Sequence, residues 1–133
     1  MHILIIEDDA ILAMNLQFFL EELGAETTAI AATEAQAIRE AIAHPPDLIA
    51  SDVELAAGTG PDAVKAIRSQ LGEVPVIYVT GRSEELRDLE PSTRVIEKPV
   101  KWLELVHATR PFGLPVLDPI DLDEEQAGLL RRS

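Results

Sequence analysis

The chain contains no cysteine, which removes disulfides, thiolate nucleophiles and thiolate zinc sites together. Histidine is scarce: His2, His44 and His107 are scattered rather than set at ligand spacing, and each reads as a surface or core-edge residue without a role. Basic residues are few, with 11 Lys and Arg against 24 Asp and Glu, and the formal net charge of -13 repels polyphosphate backbones and anionic lipid. Nucleic-acid binding would need a local basic patch, and none is present. No apolar run approaches the about 18 residues of a membrane span. The N-terminal "MHILIIEDD" lacks the basic region and small-residue cleavage site of a secretory leader. The expected location is the cytoplasm, with neither nucleic acid nor membrane as partner.

What is present is ordinary in bulk and ordered in detail. A length of 133 residues, 47% of them apolar and 26% charged, suits one compact domain. Short aliphatic runs alternate with amphipathic segments, the pattern of repeated βα units around a parallel sheet. "ILII" reads as the first strand. "AILAMNLQFFLEELG" follows as a helix with Leu12, Leu16, Phe19, Leu20 and Leu23 at helical spacing, stopping at Gly24. "TTAIA" is a second strand, and Thr33 with Gln36 forms a capping box for a helix carrying Ile38 and Ile42. "DLIASD" is a third strand; a helix begins near Pro61 with Val64, Ile67 and Leu71 turned inward. "VPVIYVTG" is the fourth strand. Ser83 can cap a short helix with Leu86 and Leu89 as apolar contacts, cut off by Pro91. "RVIEKP" is the fifth strand, and Val100, Leu103 and Val106 mark the helix after it. From residue 110 the chain is rich in proline and is expected to start extended, with a last short helix only in "DLDEEQAGLLRR". The division is thus a domain over 1–109 and a tail over 110–133.

Function in an open doubly wound sheet sits in the crevice outside the carboxyl ends of the strands. The residues leaving those ends are Glu7 and Asp8, then Asp52, Thr80 and Lys98. Crowded carboxylates oppose each other's ionisation unless a cation shares them. Magnesium suits them, because it takes a few carboxylates, a carbonyl and several waters, often completed by phosphate oxygens. A lysine and a hydroxyl beside it can hold the equatorial oxygens of a phosphoryl group, and Asp52 would be the nucleophile that forms an aspartyl phosphate.

"IIEDD", "IASD", "VTG" and "EKP", in that order at the ends of strands 1, 3, 4 and 5, resemble the receiver domain of two-component response regulators. The resemblance covers roughly residues 1 to 109. It implies a five-stranded flavodoxin-like α/β sheet in the order 2-1-3-4-5 with a short or mobile fourth helix. It also implies a Mg2+ site of Glu7, Asp8, Asp52 and the backbone carbonyl of Glu54, with Asp8 the more direct ligand. Asp52 would be the phosphoacceptor, Thr80 and Lys98 would bind the phosphoryl oxygens, and Pro99 would follow a cis peptide bond. Asp9 is expected to be a solvated neighbour. The implied partner is a histidine kinase or histidine phosphotransfer protein docking near the first helix, whose Ile11, Met14 and Phe18 extend its apolar face. Phe112, Leu114, Val116 and Leu117 could cover that face or mediate a homodimer.

Three departures from the family qualify this picture. Val95 stands three positions before the lysine, where receivers usually carry a switching aromatic residue; Tyr78 is a substitute, although a tyrosine in that strand belongs more naturally to the core. The stretch from Thr80 to Lys98 is short for the family, and "YVTG" partly matches a subgroup with a Phe-Ala-Thr-Gly strand-4 motif. After residue 109 nothing resembles an output domain, so the resemblance is to a single-domain regulator. Two rivals remain: a magnesium-dependent phosphoesterase or nuclease, which lacks its basic surface or second aspartate here, and a receiver-like interaction module that is never phosphorylated. In the family the residues at Glu54 and Arg82 influence phosphate lifetime.

Overall fold

The computed structural model describes residues 1–81 and 92–114. Nine elements alternate along them: β1 (His2–Ile6), α1 (Ala10–Glu22), β2 (Thr27–Ala31), α2 (Glu34–Ala43), β3 (Leu48–Asp52), α3 (Gly60–Leu71), β4 (Val76–Thr80), β5 (Thr93–Glu97) and α4 (Trp102–Thr109). The strands form one sheet in the order β2-β1-β3-β4-β5, and every pairing is parallel. This is the parallel sheet expected from the alternation of aliphatic and amphipathic runs, in the flavodoxin-like order that the family resemblance implies. The short helix expected around Ser83–Leu89, together with Arg82, Val116, Leu117 and the last helix of the tail, lies outside the described residues.

Side chains alternate across a strand, so β1 feeds both faces of the sheet. Ile3 and Ile5 join Leu16 and Leu20 of α1, Leu105 of α4 and Leu114 in one apolar cluster. Leu4 and Ile6 join Ala37 and Ala41 of α2, Val64 and Ile67 of α3 and Tyr78 in the other. A strand buried on both faces has no polar side to show, which is why β1 and β3 read as continuous aliphatic runs. Their ends are therefore fixed by what surrounds them, and the residues that follow emerge together at one edge.

Capping decides where the helices begin. Asp9 is exposed at the start of α1, as expected, and in addition accepts from the amides of Ile11 and Leu12 at 2.9 and 3.2 Å as the α1 N-cap. Thr33 accepts from Gln36 N at 3.1 Å. The return contact of Gln36 goes to Ala32 N at 2.9 Å, one residue earlier than in the standard box. Two expectations are corrected. On α2 the buried pair is Ala37 and Ala41; Ile38 packs part-buried against the same cluster as expected, while Ile42 is exposed, because the helix turns the stripe of Ala37 and Ala41 most directly inward. After α4 the chain does not start extended: Arg110–Phe112 forms a 3-10 turn with Pro111 in its first residues, and Leu114 is buried against the first cluster.

α1 presents the sharpest contrast, with Leu20 fully buried and Ile11 72% exposed on the same helix. Leu20→Ala should lower the unfolding free energy by about 3 kcal/mol in a urea titration, through lost burial and an unfilled cavity. Ile11→Ala should stay within about 0.5 kcal/mol of the parent, and a large loss there would mean that the helix is covered on its outer side.

Candidate functional site

The strand ends gather three carboxylates and one ammonium. Glu7 directly follows β1, and its amide extends the β1–β2 ladder by donating to Ala31 O at 2.9 Å, which holds its side chain inward at 2% exposure. Asp8 follows, exposed, with its amide donating to Glu7 Oε2 at 3.1 Å. Asp52 is the last residue of β3, and its Oδ1 accepts from Val53 N at 2.7 Å. Lys98 continues past β5, with its amide donating to Thr80 O at 2.9 Å. Its Nζ lies 2.9 Å from Asp52 Oδ2 and 3.2 Å from Glu7 Oε1. Ligand oxygens of Glu7, Asp8 and Asp52 fall within 4.8 Å of one another. Thr80 ends β4 and is buried.

The remaining sequence-predicted positions are distributed as follows. The Lys98–Pro99 peptide is cis. Glu54 is exposed in the loop between β3 and α3 and forms an isolated antiparallel bridge with Thr59. Val95 sits beside Tyr78 in the β4–β5 register, and Tyr78 is buried among the core residues. Trp102 stacks edge-on against Phe19 of α1, with ring centroids 5.7 Å apart. A cavity of about 170 Å³ opens between α1 and the turn after β5, lined by Glu7, Leu12, Asn15, Phe19, Lys98 and Pro99 among others.

Two residues at the site carry no signal that sequence reasoning used. Gly60, at the start of α3, sits so close to the Asp52 carbonyl and the Ser51 hydroxyl that any Cβ would collide with both; its amide donates to Val53 O at 2.9 Å. Ser51, fully buried, donates to that same Asp52 carbonyl at 2.7 Å. The glycine in "GTGPD" could have been singled out as a close-approach position, but the serine inside a strand gives no such hint.

Electrostatics follow from this crowding. Burial first, and then the neighbouring Asp52 carboxylate, push the Glu7 carboxyl up from the usual 4.5 to about 7, with Lys98 opposing. For Lys98, burial works against its charge, but the Asp52 and Glu7 carboxylates outweigh it and hold its pKa above the usual 10.5. An all-oxygen set of carboxylates in this arrangement fits a hard divalent cation such as magnesium, and the lysine supplies part of the same countercharge from the opposite side. Together they form a cleft that can receive a phosphoryl group next to a carboxylate oxygen.

Comparison with known proteins agrees with the geometry. The family described as the response regulator receiver domain matches residues 3–110. The phyllosphere-induced regulator PhyR of Methylorubrum extorquens is 40% identical over 84 residues, which cover 62% of this chain and 31% of that protein. The transcriptional regulatory protein PdtaR of Mycobacterium tuberculosis is 31% identical over 117 residues, 88% of this chain and 53% of that one. The chain thus spans about a third to a half of the length of these two relatives. The solution structure of the receiver domain of Erythrobacter litoralis PhyR superimposes with a TM-score of 0.73 at 34% identity, covering 84% of this chain and 88% of that one.

The raised Glu7 value has a direct consequence for stability. Between 4.5 and about 7 the folded protein holds a proton that the unfolded chain has released, so stability falls as pH rises through that window. The Lys98 contribution stays in place below the unfolded lysine value and is lost only as pH rises past the folded one, so it does not alter this slope. Urea titrations of metal-free protein at about pH 5 and about pH 8 should show this loss, and Glu7→Gln should remove most of it. An unchanged slope in the variant would mean that another group titrates.

Proposed function

Because this chain belongs to the response regulator receiver domain family, a family of signalling domains rather than classical enzymes, we propose that Asp52 accepts a phosphoryl group in a magnesium-dependent reaction. The observation that carries this reading is the single ammonium of Lys98 spanning Glu7 and Asp52, with Asp8 within reach of both. Glu7, Asp8, Asp52 and the Glu54 carbonyl would hold the metal, which when bound offsets carboxylate charge and takes up part of the charge on the phosphoryl oxygens. Asp52 attacks phosphorus through a carboxylate oxygen; the new O–P bond forms as the P–N bond to the donor imidazole breaks, and the imidazole leaves as the neutral base after taking a proton. Lys98 then pairs with a phosphoryl oxygen instead of with the bare carboxylate, and the Thr80 hydroxyl takes another.

Receiver domains interact with histidine kinases or phosphotransfer proteins, and α1 supports that role here. Ile11, Met14 and Phe18 are 72%, 63% and 59% exposed, and they lie on the helix whose N-cap adjoins the acid cluster. A partner helix laid on this strip would bring its phosphohistidine to Asp52. The receiver domain signals by relay or by phosphorylation-dependent docking in the bacterial cytoplasm. Among the described residues no helix is long and apolar enough to cross a membrane.

Intact mass after incubation with magnesium and acetyl phosphate tests the reading. The wild type should gain one base-labile phosphoryl group, Asp52→Asn should gain none, and Asp8→Ala should lose the magnesium-dependent labelling. Labelling of Asp52→Asn would overturn the acceptor assignment. Phe18→Asp should leave labelling by acetyl phosphate unchanged while slowing transfer from a phosphorylated partner by about tenfold or more, the loss typical of a hot-spot residue.

A further inference from the structure

The loop between β3 and α3 carries Glu54 and is exposed over much of its length, yet it is held from outside its own hairpin. The contact comes from Glu34, the first residue of α2. The Glu34 amide donates to Ala57 O at 3.1 Å, and Glu34 Oε2 accepts from Thr59 N at 3.3 Å. Between those two anchors Gly58 adopts φ +85 and passes so close to the Glu34 side chain that a Cβ there would overlap both its Cβ and its carboxylate. Thr59 passes the restraint on in two directions: its backbone bridges Glu54, and its hydroxyl caps α3 by accepting from Asp62 N at 3.1 Å. Glu34 is itself fixed, since α2 starts at the Thr33 cap and buries Ala37 and Ala41 against the sheet.

We propose that Glu34 is a positioning residue, which clamps the loop after Asp52 so that the Glu54 carbonyl is presented to the metal. The proposal rests on the reading that Glu7, Asp8, Asp52 and the Glu54 carbonyl hold magnesium. Val53 and Leu55 pack part-buried against the second apolar cluster, but Glu54, Ala56, Ala57 and Gly58 are exposed, so the outer half of the loop is anchored by the Glu34 contacts. Magnesium demands near-ideal octahedral geometry, whereas calcium accepts longer and less regular oxygen sets. A clamp on one ligand therefore matters to the smaller ion first, and outer partners that orient a metal ligand commonly govern affinity without touching the ion. Oxygen as acceptor, rather than negative charge, is what the Thr59 amide requires, so glutamine can replace glutamate and alanine cannot.

The test is calorimetric titration of wild type, Glu34→Gln and Glu34→Ala with magnesium alone and with calcium alone, alongside amide hydrogen exchange at Thr59 in the metal-free proteins. Glu34→Ala should weaken magnesium by about tenfold, the scale for loss of an outer-shell partner, and calcium by less than about twofold. Thr59 exchange should quicken in Glu34→Ala, and Glu34→Gln should behave as wild type in all three readings. Magnesium binding to Glu34→Ala at wild-type strength would overturn the clamp while leaving the acid pocket standing. Equal weakening of both ions would also overturn it, since general loosening of the fold does not discriminate between them. If the wild type itself binds no magnesium, the acid-pocket reading falls and the clamp falls with it.

Discussion

A carboxylate buried beside a second carboxylate is the least comfortable arrangement in this molecule, and Lys98 makes it tenable. Glu7 and Asp52 arrive from β1 and β3, adjacent strands in register, so the sheet itself forces their proximity. Without a cation the pair would stay partly protonated, as the upward shift of Glu7 already indicates. The ammonium of Lys98 reaches both oxygens from β5, two strands away from Asp52. Three strands are thereby tied together at one edge by charge, whereas elsewhere they are joined by backbone ladders and apolar packing.

That tie is conditional by construction. A surface ion pair in water contributes little, but this one is partly buried, and its strength depends on which other charges share the cleft. A divalent cation would satisfy the carboxylates from the open side and reduce their demand on the lysine. A phosphoryl group on Asp52 would convert the carboxylate into an acyl phosphate and offer the ammonium new anionic oxygens. The same four side chains can thus pass between arrangements with little change in total compensation, which is what a site needs if it must exist both empty and loaded without unfolding.

Acid placement was legible in the sequence because the central strands β1 and β3 are buried on both faces and run abruptly into an acid, while the strand order followed from the family resemblance. Leu48 to Asp52 is a run of apolar or small residues until the last position, and no helical reading accommodates so short a segment. Less legible was anything decided by distance rather than pattern. On α2 the apolar positions read from the sequence were Ile38 and Ile42; Ile38 packs against the core, but the fully buried residues are Ala37 and Ala41 and Ile42 is exposed, because how a helix is rotated on the sheet is a tertiary property. Asp9 read only as a solvated neighbour of the acid pair, and its oxygen also closes the first turn of α1. Glu34 lies far from Asp52 along the chain and joins the same loop only through the fold; its contacts with Ala57 and Thr59 have no local sequence signature.

Val95 raises the question of how a change at Asp52 could travel. A valine has no ring to swing between a pocket and solvent, and its register partner Tyr78 is already packed in the core, where reorienting a bulky side chain would leave a void and strain its neighbours. Among the described residues, the groups bonded to Asp52 or to its loop offer other connections. Lys98 leads to β5 and the turn before α4. Gly60, packed on the Asp52 carbonyl, leads into α3, and Thr59 leads through Glu34 to α2. Each of these is a short rigid link between the acceptor strand and a different helix. With valine at the aromatic relay position, charge redistribution at the cleft would, among the described residues, act first on the segments that carry Asp52, Thr80, Lys98 and Glu54.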